Sequence, residues 1–342
     1  MNELIYVNEE SEIPLFGLDF LGIIDRGTNI IELKPITLCN LKCRYCFVSA
    51  GDYETNFIID PQYLIEQIQN IADFKGHHDL EIHLAPYGEI LLYKNLYNLI
   101  DSLWEIKGIE IISMETNGLL LNPKIIKELS KLNLTRINIS LNTLNPRLAQ
   151  YLAGTNYYDM ENLLKNVNRL LHSNINVLIA PVWFPGENAD DIKEIIQFVV
   201  DLRNHEYSNT EIQLGIQKYL VYKTGRKLKK IRPKTWGYFY QQLSELENKY
   251  NIKLKLGPKD FGIHYRRTFN LPINEGEIIS VEIVSQGRWK NECIGKINNQ
   301  FCTKVLLNYP LEYSKDLLGK NIDVKILKAK NKENLITGYI PY

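Results

Sequence analysis

The most constraining stretch of the chain is Ile36–Gly51, ITLCNLKCRYCFVSAG, which holds three of the five cysteines, Cys39, Cys43 and Cys46, in a C-x3-C-x2-C array. It follows an apolar run, Ile30–Ile36, that reads as a β-strand, so the thiols fall in the loop leaving that strand. Three soft thiolates so close in sequence can share one metal centre, and iron–sulfur clusters and zinc are the usual occupants. A disulfide framework needs even pairing and an oxidising compartment, which five unevenly placed cysteines do not suit.

From Ile30 apolar strand runs alternate with amphipathic helices. The strands read at Ile30–Ile36, Leu80–Ala85, Ile109–Glu115, Arg136–Leu141, Asn176–Trp183 and Glu211–Lys218. The helices that follow read at Pro61–Phe74, Leu91–Ile106, Pro123–Leu132, Pro146–Leu171, Asp190–Arg203 and Lys234–Tyr250. Such alternation implies a parallel sheet with right-handed crossovers, either a partial (β/α)6 TIM-like barrel or a doubly wound sheet. In both, functional residues gather at the C-terminal ends of the strands, where the cysteine loop also falls. After Tyr250 the texture changes, and from Leu271 short alternating segments with Gly, Asn and Ser punctuation read as a small all-β barrel. The expected organisation is an N-terminal extension or cap at 1–29, an α/β domain at 30–251, a basic linker at 252–270 and a β-barrel at 271–342.

The formal net charge of zero conceals an asymmetry. Residues 1–217 carry 16 Lys+Arg against 29 Asp+Glu, whereas residues 218–342 carry 24 against 11. A basic C-terminal third suggests a polyanionic partner, and charge alone does not separate RNA from DNA or a membrane surface. Lys218–Trp236 sharpens this, with eight Lys or Arg, no acid, and Tyr219, Tyr222 and Trp236 interleaved. Its Lys218, Lys223, Arg226, Lys227, Lys229, Lys230 and Arg232 read as a nucleic-acid strip, extended by Arg266 and Arg267; a solvated charged face is the bland alternative. Acidic residues stand near the N-terminus where a signal peptide has basic ones, and no apolar run reaches transmembrane length, so the expectation is a cytoplasmic protein without a membrane partner.

The array C-x3-C-x2-C with Tyr45 before the last cysteine resembles the radical SAM superfamily, over roughly residues 30–250. Pro86–Ile90 (PYGEI) stands where that family carries its Gly-Gly-Glu element, with Tyr87 in place of the first glycine. Met114–Gly118, Ser140–Asn142 and Ala180–Asn188 end the third, fourth and fifth strands. The resemblance implies a [4Fe–4S] cluster on the three cysteines, with S-adenosylmethionine (SAM) on its open iron. SAM is then cleaved reductively to a 5′-deoxyadenosyl radical, with ferredoxin or flavodoxin as electron donor. It also implies cofactor contacts from Tyr45, Gly88, Glu89, Thr116, Asn117, Ser140, Asn142 and the backbone near Val182. Zinc with His83 as fourth ligand is the competing centre. A solvated Glu89 and a plain Asn117-Gly118 turn are the competing readings of the rim.

Residues Leu271–Ile340 resemble a TRAM domain, a small barrel fused to RNA-modifying enzymes. That implies phosphate contacts from cations such as Arg288, Lys290, Lys296 and Lys304, and base stacking on Trp289. Cys293 and Cys302 read as buried barrel thiols. The combined expectation is a radical SAM enzyme that modifies RNA, with tRNA foremost. The alternatives are a radical SAM enzyme acting on a peptide, protein or small metabolite, and a zinc-stabilised RNA-binding module.

Overall fold

The computed structural model describes residues 3–307, 312–330 and 332–341. Parts of the expected extension and barrel (residues 1–2, 308–311, 331 and 342) lie outside the described residues. In chain order the first elements are β1 (Glu3–Val7), β2 (Gly22–Asp25), β3 (Ile30–Lys34), β4 (Thr55–Ile59), α1 (Pro61–Lys75), β5 (Leu80–Leu84) and α2 (Leu96–Trp104). Then come β6 (Ile109–Thr116), α3 (Pro123–Lys131), β7 (Arg136–Ile139), α4 (Pro146–Ala153), α5 (Met160–Leu171), β8 (Asn176–Ile179) and β9 (Val182–Trp183). They are followed by α6 (Ala189–His205), β10 (Ile212–Leu214), β11 (Gln217–Lys218) and α7 (Trp236–Tyr250). The chain ends with β12 (Ile278–Gln286), β13 (Glu292–Lys296), β14 (Cys302–Leu306), β15 (Asn321–Lys330) and β16 (Leu335–Tyr339).

All six expected strand–helix pairs are present, and their ends follow local chemistry. Asp60 accepts from the backbone N–H of Gln62 and Tyr63, with Pro61 opening α1. The run Pro146–Leu171 divides in two because Gly154 caps α4 in the left-handed region at φ 72°. The fifth strand breaks into β8 and β9 at Pro181, which has no N–H to give a ladder. Sequence reasoning missed β4, which pairs in parallel with β1.

The chain divides into two compact units, Met1–Leu38 with Asp52–Ile111 and Ile263–Tyr342, and Cys39–Gly51 with Ile112–Gly262. In the first, β2 runs antiparallel to β3 and β3 parallel to β5. The same unit holds a closed barrel in the order β12-β13-β14-β16-β15. Val281, Ile283, Cys293, Val305, Leu307 and Val324 fill it. Residues 14–17 lie against this barrel, for Phe16 N–H donates to Gln300 O (3.2 Å) and accepts at its carbonyl from Cys302 N–H (2.8 Å). Gly17 makes that approach possible: its φ is +116° and a Cβ there would sit 1.8 Å from the Cys302 carbonyl oxygen. Nearby, Lys75 and Asp25 form a fully buried ion pair at 2.7 Å, and Asp25 also accepts from the N–H groups of Gly27 and Phe269.

In the second unit β6, β7, β8 and β10 run parallel, joined by matched registers such as Thr116 beside Ile139 and Ile139 beside Ile179. Met114, Ile137, Ile139, Val177, Ile179 and Ile212 are completely buried among them. The strand ends therefore bring residues 116–118, 140–142 and 180–182 to one edge of this sheet. No helix among the described residues is long and apolar enough to cross a membrane.

Two outcomes follow. Gly17→Ala strains a left-handed backbone and drives a methyl into a carbonyl, so it is expected to destabilise the protein by about 3 kcal/mol in denaturant unfolding; an unchanged midpoint contradicts this docking. Burial pushes Cys293 up from 9.0 to about 12, and Cys302 is raised by the same cause. Both thiols are therefore neutral at pH 8 and unreactive toward a disulfide reagent until the protein unfolds, and reaction of either in the native state refutes their packing. The sign runs one way. Unfolding lets these groups ionise, so stability is full below about pH 9 and declines as pH rises toward 12.

Candidate functional site

Cys39, Cys43 and Cys46 are half-buried and none is in a disulfide. A loop this irregular has backbone groups that no ladder satisfies, so something else must bond them. Two segments of the same unit do so. From one side Arg44 N–H donates to Leu152 O at 2.9 Å, and a Cβ on Gly154 would lie 2.4 Å from Lys42 O. From the other, Arg226 N–H donates to Cys46 O (2.8 Å), while its guanidinium donates through Nε to Cys43 O (2.7 Å) and through Nη2 to Ala50 O (2.7 Å). Ser49 Oγ bonds Thr224 O at 2.9 Å, and Gly225 fits only because a Cβ would be 2.3 Å from Phe47 O. One planar cation thus spans the cysteine loop and fixes its course.

The three thiols share one electrostatic field. Cys43 is pushed up to about 12, first by burial and then by the negative charges that Cys46 and Cys39 would carry, with Arg226 opposing. A bound cationic centre inverts that logic and holds all three as thiolates. Among the described residues no three His, Cys, Asp or Glu side chains, the three thiols included, are gathered closely enough to hold a metal ion, so the fit to a cluster rests on the type and spacing of the donors. The donor chemistry is that of an open three-thiolate site, which suits a cluster that keeps one iron for another ligand. His83, considered as a zinc ligand, lies across from Glu32 in the β3–β5 pairing.

Beside the loop a narrow cavity of about 20 Å³ is lined by Cys43, Tyr45, Asn117, Ser140, Asn142 and Tyr158 among others. Five of these were expected from sequence, and the structure brings them together. Asn142 organises the cavity: its Nδ2 donates to the Tyr45 hydroxyl at 2.6 Å and its Oδ1 accepts from Val182 N–H at 2.7 Å. Burial, and secondarily the Cys43 charge, raises the Tyr45 hydroxyl well above its ordinary range, so it stays a neutral phenol. Asn117 donates to Asn40 Oδ1 at 2.8 Å. Thr116 is buried and its Oγ1 accepts from Gly118 N–H, so it shapes the Asn117 turn.

In the other unit Glu89 is buried rather than solvated, and its Oε1 accepts from Leu91 N–H at 3.1 Å. Glu89 N–H donates to Leu38 O at 2.8 Å, and a Cβ on Gly88 would stand 2.2 Å from that same oxygen.

Two residues went unassigned in the sequence. Asn188 precedes α6 at its N-cap yet makes no cap bond. Instead, fully buried, it donates to the carbonyls of Asn142 and Val182 (both 2.9 Å) and accepts from Phe184 N–H (2.7 Å). Tyr158 OH reaches Asn117 O at 3.4 Å, and nothing in the local pattern marks it.

The expected RNA contacts divide sharply. Lys223, Lys227, Lys229, Lys230 and Arg232 are exposed, and Lys218 Nζ lies 4.9 Å over the Trp236 ring. Others are corrections. Arg226 is committed to the cysteine loop. Arg288 is 6% exposed, paired with Glu292 at 3.1 Å and stacked over Phe20 at 4.3 Å, so it cannot reach a phosphate. Trp289 is half-buried, edge-on to Tyr53 at 5.4 Å, which removes it as a stacking platform. Arg266 is bonded to His78 and Asp79, and Arg267 to the Phe74 carbonyl. Lys304 and Lys296 pair with Asp19 and Glu12.

Comparison with known proteins agrees with this geometry. The family model described as Radical SAM superfamily matches residues 33–199. The uncharacterised protein MJ0103 of Methanocaldococcus jannaschii is 36% identical over 97% of this chain and 79% of its own length. A GTP 3′,8-cyclase of Alkaliphilus metalliredigens is 33% identical over 52% of this chain, which spans 54% of that relative. The FeFe-hydrogenase maturase HydG from Carboxydothermus hydrogenoformans shares the fold, with TM-score 0.53 and 14% identity over 64% of this chain and 50% of that one. Residues 33–199 therefore carry a radical SAM superfamily domain, and members of that superfamily are enzymes. Proteins of that superfamily use a [4Fe–4S] cluster and SAM.

Replacing the loop-spanning cation tests the site. Arg226→Gln is expected to fold normally but to retain less than about half the iron of the parent after anaerobic reconstitution, whereas Lys227→Gln retains all of it. Equal iron in both variants refutes the clamp.

Proposed function

We propose that the substrate is a nucleotide of RNA, with tRNA as the first candidate. When bound, the cluster and SAM supply a 5′-deoxyadenosyl radical that abstracts a hydrogen atom. The chain's own part is to hold and orient them. Cys39, Cys43 and Cys46 would ligate the cluster on a loop tied down by Arg226. Asn117, Ser140, Asn142 and the backbone at Val182 would present hydrogen-bonding groups to SAM. Ferredoxin or flavodoxin would supply the electron.

The observation that carries the RNA reading is the platform over residues 218–240. Six exposed cations, Lys223, Lys227, Lys229, Lys230, Arg232 and Lys234, precede α7. The first turns of α7 present Trp236, Tyr238 and Tyr240 at 52%, 42% and 47% exposure. These rings are already ordered in stacks, Trp236 on Tyr240 at 5.8 Å and Trp183 against Tyr238 at 6.0 Å. Exposed stacked aromatics beside unpaired cations suit a single-stranded nucleic acid, whose bases stack while its phosphates are neutralised. A base inside a helix would have to be unstacked first. The TRAM- or OB-like reading of the barrel is supported by its five-strand closure, with β14 parallel to β16. Four of its cations, Arg288, Lys296, Lys304 and Lys330, are paired with acids, and the platform, which joins cations to exposed aromatic rings, is the proposed phosphate grip. A free nucleotide is the second reading, favoured by the similarity to a GTP 3′,8-cyclase.

Binding of unfractionated tRNA to the reconstituted protein, followed against salt, tests the proposal. Neutralising Lys227, Lys229 and Lys230 to Gln together is expected to weaken binding at least about tenfold and to flatten the salt slope by about two to three units. Unchanged affinity and slope argue against RNA on this path.

A further inference from the structure

A second concavity lies on the cysteine loop's outer side, within the same unit. It holds about 370 Å³ and is lined by Arg44, Arg147, Gln150, Tyr151, Gly154, Thr155 and Asn156, with no acid among them. Its two guanidiniums differ in a useful way. Arg44 is held in place, for its Nε donates to Tyr151 O at 2.9 Å and its guanidinium lies 4.5 Å over the Tyr151 ring. That fixes the plane of the group while Nε alone is consumed by the bond. Arg147, in the first turn of α4, makes no side-chain hydrogen bond or ion pair among the described residues. Two arginines in an acid-free polar hollow, one of them ordered in advance, form a fork-shaped donor set that suits an oxyanion with several acceptor oxygens. Gln150, Thr155 and Asn156 add neutral polar groups.

We propose that this hollow is a binding site for a phosphoryl group, of a free nucleotide or of a polynucleotide backbone. Surface arginines are ordinarily just solvated. What separates this pair is the concave wall and the immobilisation of Arg44. The hollow is also continuous with the cluster loop: Arg44 stands between Cys43 and Cys46, and Gly154 touches Lys42 O. An occupant therefore bonds the segment that carries two of the three thiols. The site is independent of the α7 platform, and its test is separate from the tRNA measurement.

Calorimetric titration of the reconstituted, SAM-saturated protein with inorganic pyrophosphate at fixed ionic strength tests it, SAM being present to occupy the open iron. The parent is expected to bind one equivalent. Arg147→Gln, an exposed change that leaves the fold intact, is expected to raise the Kd at least about tenfold, as loss of a charge-assisted bidentate contact does. Arg147→Lys should recover only part of that, because an ammonium lacks the fork. Lys193→Gln, which removes an exposed charge on α6, should change nothing. Absence of saturable binding, an unchanged Kd in Arg147→Gln, or equal weakening by Lys193→Gln overturns the proposal. GMP and a trinucleotide, titrated in parallel, identify the source. Whichever binds more tightly and loses affinity in Arg147→Gln names the ligand, and insensitivity of both to that change counts against the site.

Discussion

The guanidinium of Arg226, donating to the carbonyls of Cys43 and Ala50, is the interaction on which the site depends. Three thiols on a loop can ligate one centre only if the loop has a fixed course, and loops leave backbone groups that demand partners. Arg226 supplies three donors from one residue, counting its own N–H to Cys46 O. Glycines at 154 and 225 let the flanking chain come close enough to add contacts. The positive charge of Arg226 also opposes the rise that burial imposes on the Cys43 thiol.

Much of the fold was legible because its signals are local. The six strand–helix pairs were visible as apolar runs separated by caps, and Asp60-Pro61 and Asn145-Pro146 announce helix starts in a few letters. The cysteine array and the rim residues Asn117, Ser140 and Asn142 were legible because strand ends locate them. What escaped was whatever tertiary structure reassigns. Arg226 and Lys227 are neighbours in one basic run, yet one lies under the cysteine loop and the other is exposed. No spacing distinguishes them. Asn188 stands at the N-cap of α6 and spends its amide on the carbonyls of Asn142 and Val182 instead.

Charge shows the same limit. A basic C-terminal third reads as a polyanion-binding tail, but part of it is neutralised within its own unit. Lys304 meets Asp19, Lys296 meets Glu12, and Glu333 meets Arg26, so N-terminal and C-terminal segments cancel one another. Arg288 goes further, buried against Glu292 and aromatic rings, where an unpaired charge would be costly. Exposed cations remain both in the barrel, at Lys290, Lys315, Lys320 and Lys328, and before α7, where exposed aromatic side chains accompany them. Net charge over a long segment therefore overstated the interaction surface and misplaced part of it.

Whether the clamped loop holds a SAM-cleaving cluster is measured most directly by the 5′-deoxyadenosine that the anaerobically reconstituted protein forms with SAM and dithionite. The expected result is 5′-deoxyadenosine and methionine in equal amounts from the parent and none from Cys43→Ala. A fully reconstituted parent that leaves SAM intact under reduction contradicts that role.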